Sequence, residues 1–463
     1  MGMVYPKKSM HSLFQKRFVS GGQRILNMTT GQPWKLLIRF AVPMLIGNLF
    51  QQAYNLADSI IVGRLVGASA LAAIGATNSV TFLFFSICNG MGSGGGIVVS
   101  QFFGAGDERR VKKAITNSAY LMLVSSLIMG LAAFFASASV LRLIHTPADI
   151  LPDAVTYMRI ACIGVPLIAV YNYASSMLRA LGDSRTPLYF LVTACVINIV
   201  LDLLFVGPLN MGVFGAALAT MLSQMIAGAG CLLFAVRTNP YFRLEREHFS
   251  FDRNITFRAM QIGFPLSLQW AMIAISTTGL QTVVNSFGSA AVAAFTATSR
   301  IENLVHMPFG SIGQALSTFA GQNYGARKPE RIRTGFYQSM VLAAAMSVCL
   351  FLLMQLLGMQ AVSAFVKDPE VIALGGRGLK LTSWFYLSLG TIYITRGIQN
   401  GMGDALFAFI NGIIEVISRI GLPILLLQFF DIGVWVIWWT AGLTWMASAV
   451  FCLLRYVTYK RTL

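Results

Sequence analysis

Charged side chains are scarce in this chain. They make up 11% of its 463 residues, against roughly 25% in soluble globular proteins, and a surface this apolar excludes water as its only solvent. Acidic residues are scarcer still, 17 Asp and Glu against 34 Lys and Arg. The six cysteines (Cys88, Cys162, Cys195, Cys231, Cys349 and Cys452) all fall in apolar stretches, and no CxxC or Cys/His spacing occurs. A disulfide framework and a zinc site are therefore not expected. No Ser/His/Asp or Cys/His set and no HExxH occurs either, so neither an enzyme nor a cofactor is expected, nor any metal beyond a coupling Na⁺. The alternating strands of a membrane barrel are missing. Residues 1–34 have no apolar core ahead of a cleavage site and are expected to be a cytoplasmic tail, not a signal peptide. Met28 is a second candidate start.

What the chain does have is apolar length. Its hydrophobic share is 56% and its mean hydropathy +0.69. A membrane-spanning helix needs about 20 mostly apolar residues. Twelve such stretches are found, near 35–62, 71–98, 114–138, 150–174, 187–207, 211–236, 258–284, 290–319, 335–357, 371–396, 405–428 and 433–456. The net charge of +17 suggests nucleic acid until its placement is considered. With the N-terminus inside, 26 Lys and Arg fall in inner segments and 6 in outer ones. That asymmetry is the positive-inside pattern, and it predicts a multi-pass bacterial cytoplasmic-membrane protein with both termini cytoplasmic. No nucleic-acid partner is expected. Lipid is, since basic inner segments attract anionic headgroups.

The chain is built from one unit used twice. Gly67-Ala-Ser-Ala-Leu-Ala-Ala reappears as Gly288-Ser-Ala-Ala-Val-Ala-Ala, and Gln101-Phe-Phe-Gly-Ala as Gln322-Asn-Tyr-Gly-Ala. Leu181-Gly-Asp183 reappears as Met402-Gly-Asp404, and Met211-Gly-Val213 as Ile432-Gly-Val434. These four blocks share an offset of 221 residues, and Val42-Pro43 matches Phe264-Pro265 with a slip of one. Six spans per half return the chain to its starting side, so the halves are parallel repeats about an axis along the membrane normal, a transporter arrangement. The expected division is a tail at 1–34, a six-helix lobe at 35–236, a cytoplasmic linker at 237–257 and a second lobe at 258–463.

Four carboxylates lie within apolar stretches: Asp58, Asp202, Glu302 and Glu415. A charge at the bilayer centre costs about 2.5–3.5 kcal/mol on insertion scales, so each should be paired, protonated or turned toward an interior cavity. In the first span Gln51, Tyr54, Asn55 and Asp58 share one helical face, downstream of Pro43, which can bend that helix. In the fifth, Asn198 and Asp202 are four apart and also share a face. If the two faces meet, they form either a proton site or an oxygen-lined site for a small cation; the alternative is that these groups only hydrogen-bond helices together. Glu415 and Arg419, four apart, suggest an intrahelical ion pair. Glu302, with Arg300 nearby and His306 one turn on, reads either as a structural pair or as an acid lining the cavity. The glycine run at 90–96 lacks the Lys-Ser/Thr of a phosphate loop and reads as a close helix crossing.

Together, Val42-Pro43 with Tyr54-Asn-Leu-Ala-Asp58, the Gly67 block, Arg179-Ala-Leu-Gly-Asp183, Asn198-Ile-Val-Leu-Asp202 and Gly215-Ala-Ala-Leu-Ala-Thr220 resemble the multidrug and toxic compound extrusion family. The likeness runs from about residue 30 to the C-terminus and is nearest to its DinF-like branch, with features that also suit the MepA-type pumps. It implies an all-α fold of twelve helices in two pseudo-symmetric lobes, and export of drugs or dyes by antiport with H⁺ or Na⁺, by a protein functional as a monomer. It also implies that Asp58, Asn198 and Asp202 bind the coupling cation, with Thr220 as a further oxygen and Tyr54, Gln51 and Asn172 close by. The sequence departs from other branches in the seventh span, where Leu280 stands at the repeat position of Asp58 and no carboxylate occurs. A flippase for a lipid-linked envelope precursor is the alternative function.

Overall fold

The computed structural model describes residues 25–460 except His145. The helices are α1 (Pro33–Leu65), α2 (Ala68–Ala105), α3 (Glu108–Leu143), α4 (Leu151–Ala180), α5 (Arg185–Val206), α6 (Gly212–Thr238), α7 (Arg253–Asn285), α8 (Ser289–Gly325), α9 (Pro329–Ser363), α10 (Pro369–Ser383), α11 (Tyr386–Met402), α12 (Ala405–Phe429) and α13 (Val436–Lys460). Among the described residues, nine helices are long and apolar enough to cross a membrane, and α2 makes a tenth, bent by 40° between Phe82 and Phe84. The other two expected spans differ for physical reasons. α8 carries Arg300, Glu302 and His306 along its length. The expected tenth span is two helices, α10 and α11, joined at Trp384 and Phe385, each too short to cross alone. The expected linker is two short 3-10 turns, Pro240–Phe242 and Arg246–Phe249.

Twelve passes put both ends of the described chain on one side, the side with most of the basic residues, called the basic end below. There the halves are joined. α2 packs most extensively against α7, and α8 packs against both α1 and α2. Glycine makes this possible. A Cβ at Gly90 would lie 2.7 Å from the Gly263 carbonyl oxygen, and one at Gly263 would lie 2.9 Å from that of Gly90. The ends of α2 and α8 cross even more tightly and almost symmetrically: a Cβ at Gly104 would land on the Gln322 carbonyl, and one at Gly325 on the Gln101 carbonyl. The side chains of these glutamines complete the symmetry. Gln101 donates to the Gly401 carbonyl at 2.9 Å, and Gln322 donates to the Ala180 carbonyl at 3.1 Å. Positions 180 and 401 are themselves repeat counterparts, so each half holds the other by the same bond.

A short segment ahead of α1 is laid over this crossing. The Leu26 N–H donates to the Gly182 carbonyl, and the Met28 N–H donates to Gln322 Oε1 at 2.8 Å. Asn323 and Arg331 donate to the Met28 carbonyl, and Lys328 to that of Thr29. Met28 is fully buried. The strap thus bonds to both halves.

In the second half α11 and α12 are tied by a buried ion pair. Arg396 donates to Glu415 and to Asn411 Oδ1. This replaces the expected Glu415–Arg419 pair, since Glu415 is drawn across to α11 while Arg419 turns to α7 and donates to Ser276 Oγ at 2.9 Å. Among the described residues Arg300 and Glu302 form no ion pair either.

Two outcomes follow for stability, both read as thermal midpoints of the detergent-solubilised chain. Gly104→Ala should lower stability by about 1–3 kcal/mol, the cost of overpacking, whereas Gly75→Ala, with open space around it, should stay within about 0.5 kcal/mol. Glu415→Ala should cost about 3–5 kcal/mol because Arg396 is left buried without its counter-charge. Equal midpoints for Gly104→Ala and Gly75→Ala would show that the crossing is loose.

Candidate ion-coupling site

α1 and α5 pack side by side, with α6 against α5, and this brings five of the sequence-derived residues to one place. The Asp58 and Asp202 carboxyl groups lie within hydrogen-bonding reach of each other. Asp202 and Asn198 are fully buried. The Asn198 amide, oriented from its partners, donates to Asp202 Oδ2 at 2.9 Å and accepts from the Thr220 N–H at 3.2 Å. Tyr54, one turn before Asp58, is within hydrogen-bonding reach of Thr220.

The chemistry of this group is incomplete as it stands. Asp58 Oδ1 and Asp202 Oδ1 are both buried and have no hydrogen-bond partner. Two carboxylates in contact cannot both carry full charge at ordinary pH. The arrangement can take one proton between the carboxyl groups, or a small cation among the oxygens of Asp58, Asp202, Asn198 and Thr220.

Other expected residues fall elsewhere. Gln51 and Asn55 share the helical face of Tyr54 and Asp58 but are exposed, whereas Tyr54 and Asp58 are partly buried. Asn172 is half-buried on α4 and makes no hydrogen bond among the described residues. Pro43 is buried inside α1, toward the basic end. Glu302 and His306 belong to the other half. Glu302 reaches toward Thr382 of α10, with Oε1 buried and unpartnered. His306 Nδ1 is 3.2 Å from the Tyr393 hydroxyl, and its ring packs edge-on to Trp445. Neither touches the aspartate pair.

One neighbour escaped the sequence reading. Tyr157 of α4 lies close enough to Asp58, Tyr54 and Asp202 to interact with them electrostatically; a lone tyrosine in an apolar span carries no periodic signal. The depth also differs from expectation. Asp202 is four residues from the end of α5, about 6 Å along the axis, so the pair is nearer the end opposite the basic one than the middle of the helix.

The repeat shows how the second half fills the same place. The counterparts of Asp58 and Asp202 are Leu280 and Pro423; those of Tyr54 and Asn198 are Ser276 and Arg419. Leu280 packs in an apolar cluster, and the bond from Arg419 to Ser276 takes the place of the polar group. Among the described residues, the one cluster of metal-ligand type is Glu245, Glu247 and His248 in the linker. There His248 Nδ1 already accepts from the Glu245 N–H, and Glu247 pairs with Arg109.

Comparison with known proteins gives a consistent result. The family model described as MatE matches residues 43–204 and again residues 265–425, a double match that follows the duplication. A relative from Bacillus subtilis, named a probable multidrug resistance protein YpnP, is 30% identical over 84% of this chain and 87% of its own. One from Shewanella oneidensis, named an FAD transporter, is 28% identical over 81% and 82%. A solved structure described as MATE in the straight conformation superposes with a TM-score of 0.89 at 25% identity, covering 95% of this chain and 99% of that one. The chain belongs to the multidrug and toxic compound extrusion family of membrane transporters.

Proposed function

We propose that this protein exports small organic compounds, many of them cationic or amphipathic, across the bacterial cytoplasmic membrane in exchange for H⁺ or Na⁺, by alternating access. The observation that carries this reading is the contact between Asp58 and Asp202, each with a buried oxygen that has no partner. Such a pair binds one positive charge and releases it when the surroundings change. Asn198 orients Asp202, Thr220 adds an oxygen, and Tyr54 shields the pair.

Coupling follows from linkage. If the ion-loaded pair favours one arrangement of the lobes and the cargo favours the other, each ligand displaces the other by the same factor. With the basic end placed in the cytoplasm, the lobes are closed on the inside, and the pair lies near the outer ends of its helices, where incoming ions arrive. One proton moving through 100 mV supplies about 2.3 kcal/mol. A neutral cargo can draw on that; a monovalent cation exchanged for one proton moves no net charge and depends on the pH difference alone.

Ethidium efflux should be abolished by Asp58→Asn and by Asp202→Asn while membrane levels hold, because either change removes the shared charge site. Thr220→Ala should slow efflux roughly tenfold, the worth of one hydrogen bond in the site. In inverted vesicles, collapsing the pH gradient and the sodium gradient separately identifies the ion. Wild-type efflux by both asparagine variants would refute the coupling role. A second reading, export of an anionic flavin dinucleotide, is favoured by the name of the Shewanella relative. Gradient-dependent FAD uptake by the same vesicles would support it.

A further inference from the structure

We propose that the basic end of the first half carries a site for the phosphate of an anionic phospholipid, held between Arg39 of α1 and Arg185 of α5. Both arginines line one crevice of about 350 Å³, which Leu26 of the strap, Phe40, Asp183 and Phe234 also border. That volume is at the small end of ligand clefts, suited to a headgroup whose acyl chains remain outside.

The charges in this crevice are unspent. Among the described residues, neither guanidinium has an ion-pair or hydrogen-bond partner. Asp183, the nearby acid, is consumed by its own turn: it accepts from the Arg185 and Thr186 backbone N–H groups at 3.0 Å each and from the Thr186 hydroxyl at 2.6 Å. Residues 1–24 hold Lys7, Lys8, Lys16, Arg17 and Arg24 but no Asp or Glu, so that segment has no carboxylate to offer.

The second half shows that the turn does not require these arginines. Asp404, the counterpart of Asp183, pairs with Arg455 at 3.0 Å. The position equivalent to Arg455 in the first half is Phe234, and the counterparts of Arg39 and Arg185 are Gln261 and Leu406. One copy therefore closes on an internal ion pair, while the other leaves two cations facing an open crevice. Guanidinium forks bind phosphate oxygens in pairs, and basic pockets between helices on the cytoplasmic side are where lipid headgroups bind. The walls supply the remainder of a lipid site. Tyr189, one turn along α5 from Arg185, is exposed, as are Leu233 and Phe234 on α6, giving an apolar strip for an acyl chain. Trp34 and Lys35, stacked at the start of α1, mark the interfacial level.

The test uses the full chain in detergent, titrated with dihexanoyl-phosphatidylglycerol or its phosphatidylcholine analogue and followed by thermal midpoint. The expected result is saturable stabilisation by the anionic lipid alone. Arg39→Gln and Arg185→Gln should each weaken it roughly fivefold, and Arg142→Gln, toward the other end, should leave it unchanged. Glycerol 3-phosphate and inorganic phosphate should not compete at concentrations where the lipid saturates; competition by either makes a soluble phosphate the ligand and overturns the lipid assignment. Equal responses to the two lipids, or an undiminished response in the doubly substituted chain, overturn the site. Should a variant not fold, native mass spectrometry of the unsubstituted chain from a mixed micelle decides. Preferential retention of phosphatidylglycerol supports the site, and equal retention of both lipids overturns it. The outcome is independent of whether the protein exports dyes.

Discussion

Hydrocarbon offers a polar group nothing to bond with, and a polar atom left alone there costs several kcal/mol. This constraint sorts the intramembrane polar groups of the chain. Arg396 finds Glu415 and Asn411; Arg419 finds Ser276. Gln101 and Gln322 each find a carbonyl in the opposite half. Asp58 and Asp202 find each other, with Asn198 donating to Asp202, and each keeps a buried oxygen with no partner among the described residues.

Duplication made the asymmetry possible. Both copies share the helix crossing, with Gly104 against Gln322 and Gly325 against Gln101, because the joint between lobes needs the same close approach from each side. Away from the joint the copies are free to diverge. In one, two acids face each other across α1 and α5. In the other, Leu280 and Pro423 replace the acids and Arg419 sits at the position of Asn198, so the positive charge is covalently attached.

Much of this was legible in the residues because it rests on spacing. The repeat offset located both halves, and the four-residue step from Asn198 to Asp202 and the seven-residue step from Gln51 to Asp58 marked faces that could meet. What spacing could not show was which neighbour wins. Glu415 has Arg419 one turn away on its own helix, yet the fold brings Arg396 closer. Gln51 and Asn55 lie on the right face but outside its contact line with α5. The break between α10 and α11 was hidden for a related reason: Trp384 and Phe385 continue an apolar run, and no proline or glycine marks the interruption. Tyr157 comes within electrostatic range of the aspartates only through the packing of α4, which no local pattern records.

The location of the acid pair and the location of the joint together constrain how such a machine can move. The Gly104 and Gly325 contacts and the strap lie at the basic end, and the aspartates lie near the opposite ends of α1 and α5. A change of charge at the pair therefore cannot act on the joint directly. α1 spans the distance between them: it holds Asp58 toward one end, and at its middle Asn48 donates to Ser311 Oγ of α8 at 3.3 Å. Pro43 stands between the strap and Asp58, and its missing N–H leaves the Arg39 carbonyl without a helical partner. A helix weakened at that point can change its bend without breaking a full turn of hydrogen bonds, so under the proposed coupling α1 is the element that would link the acid pair to the joint.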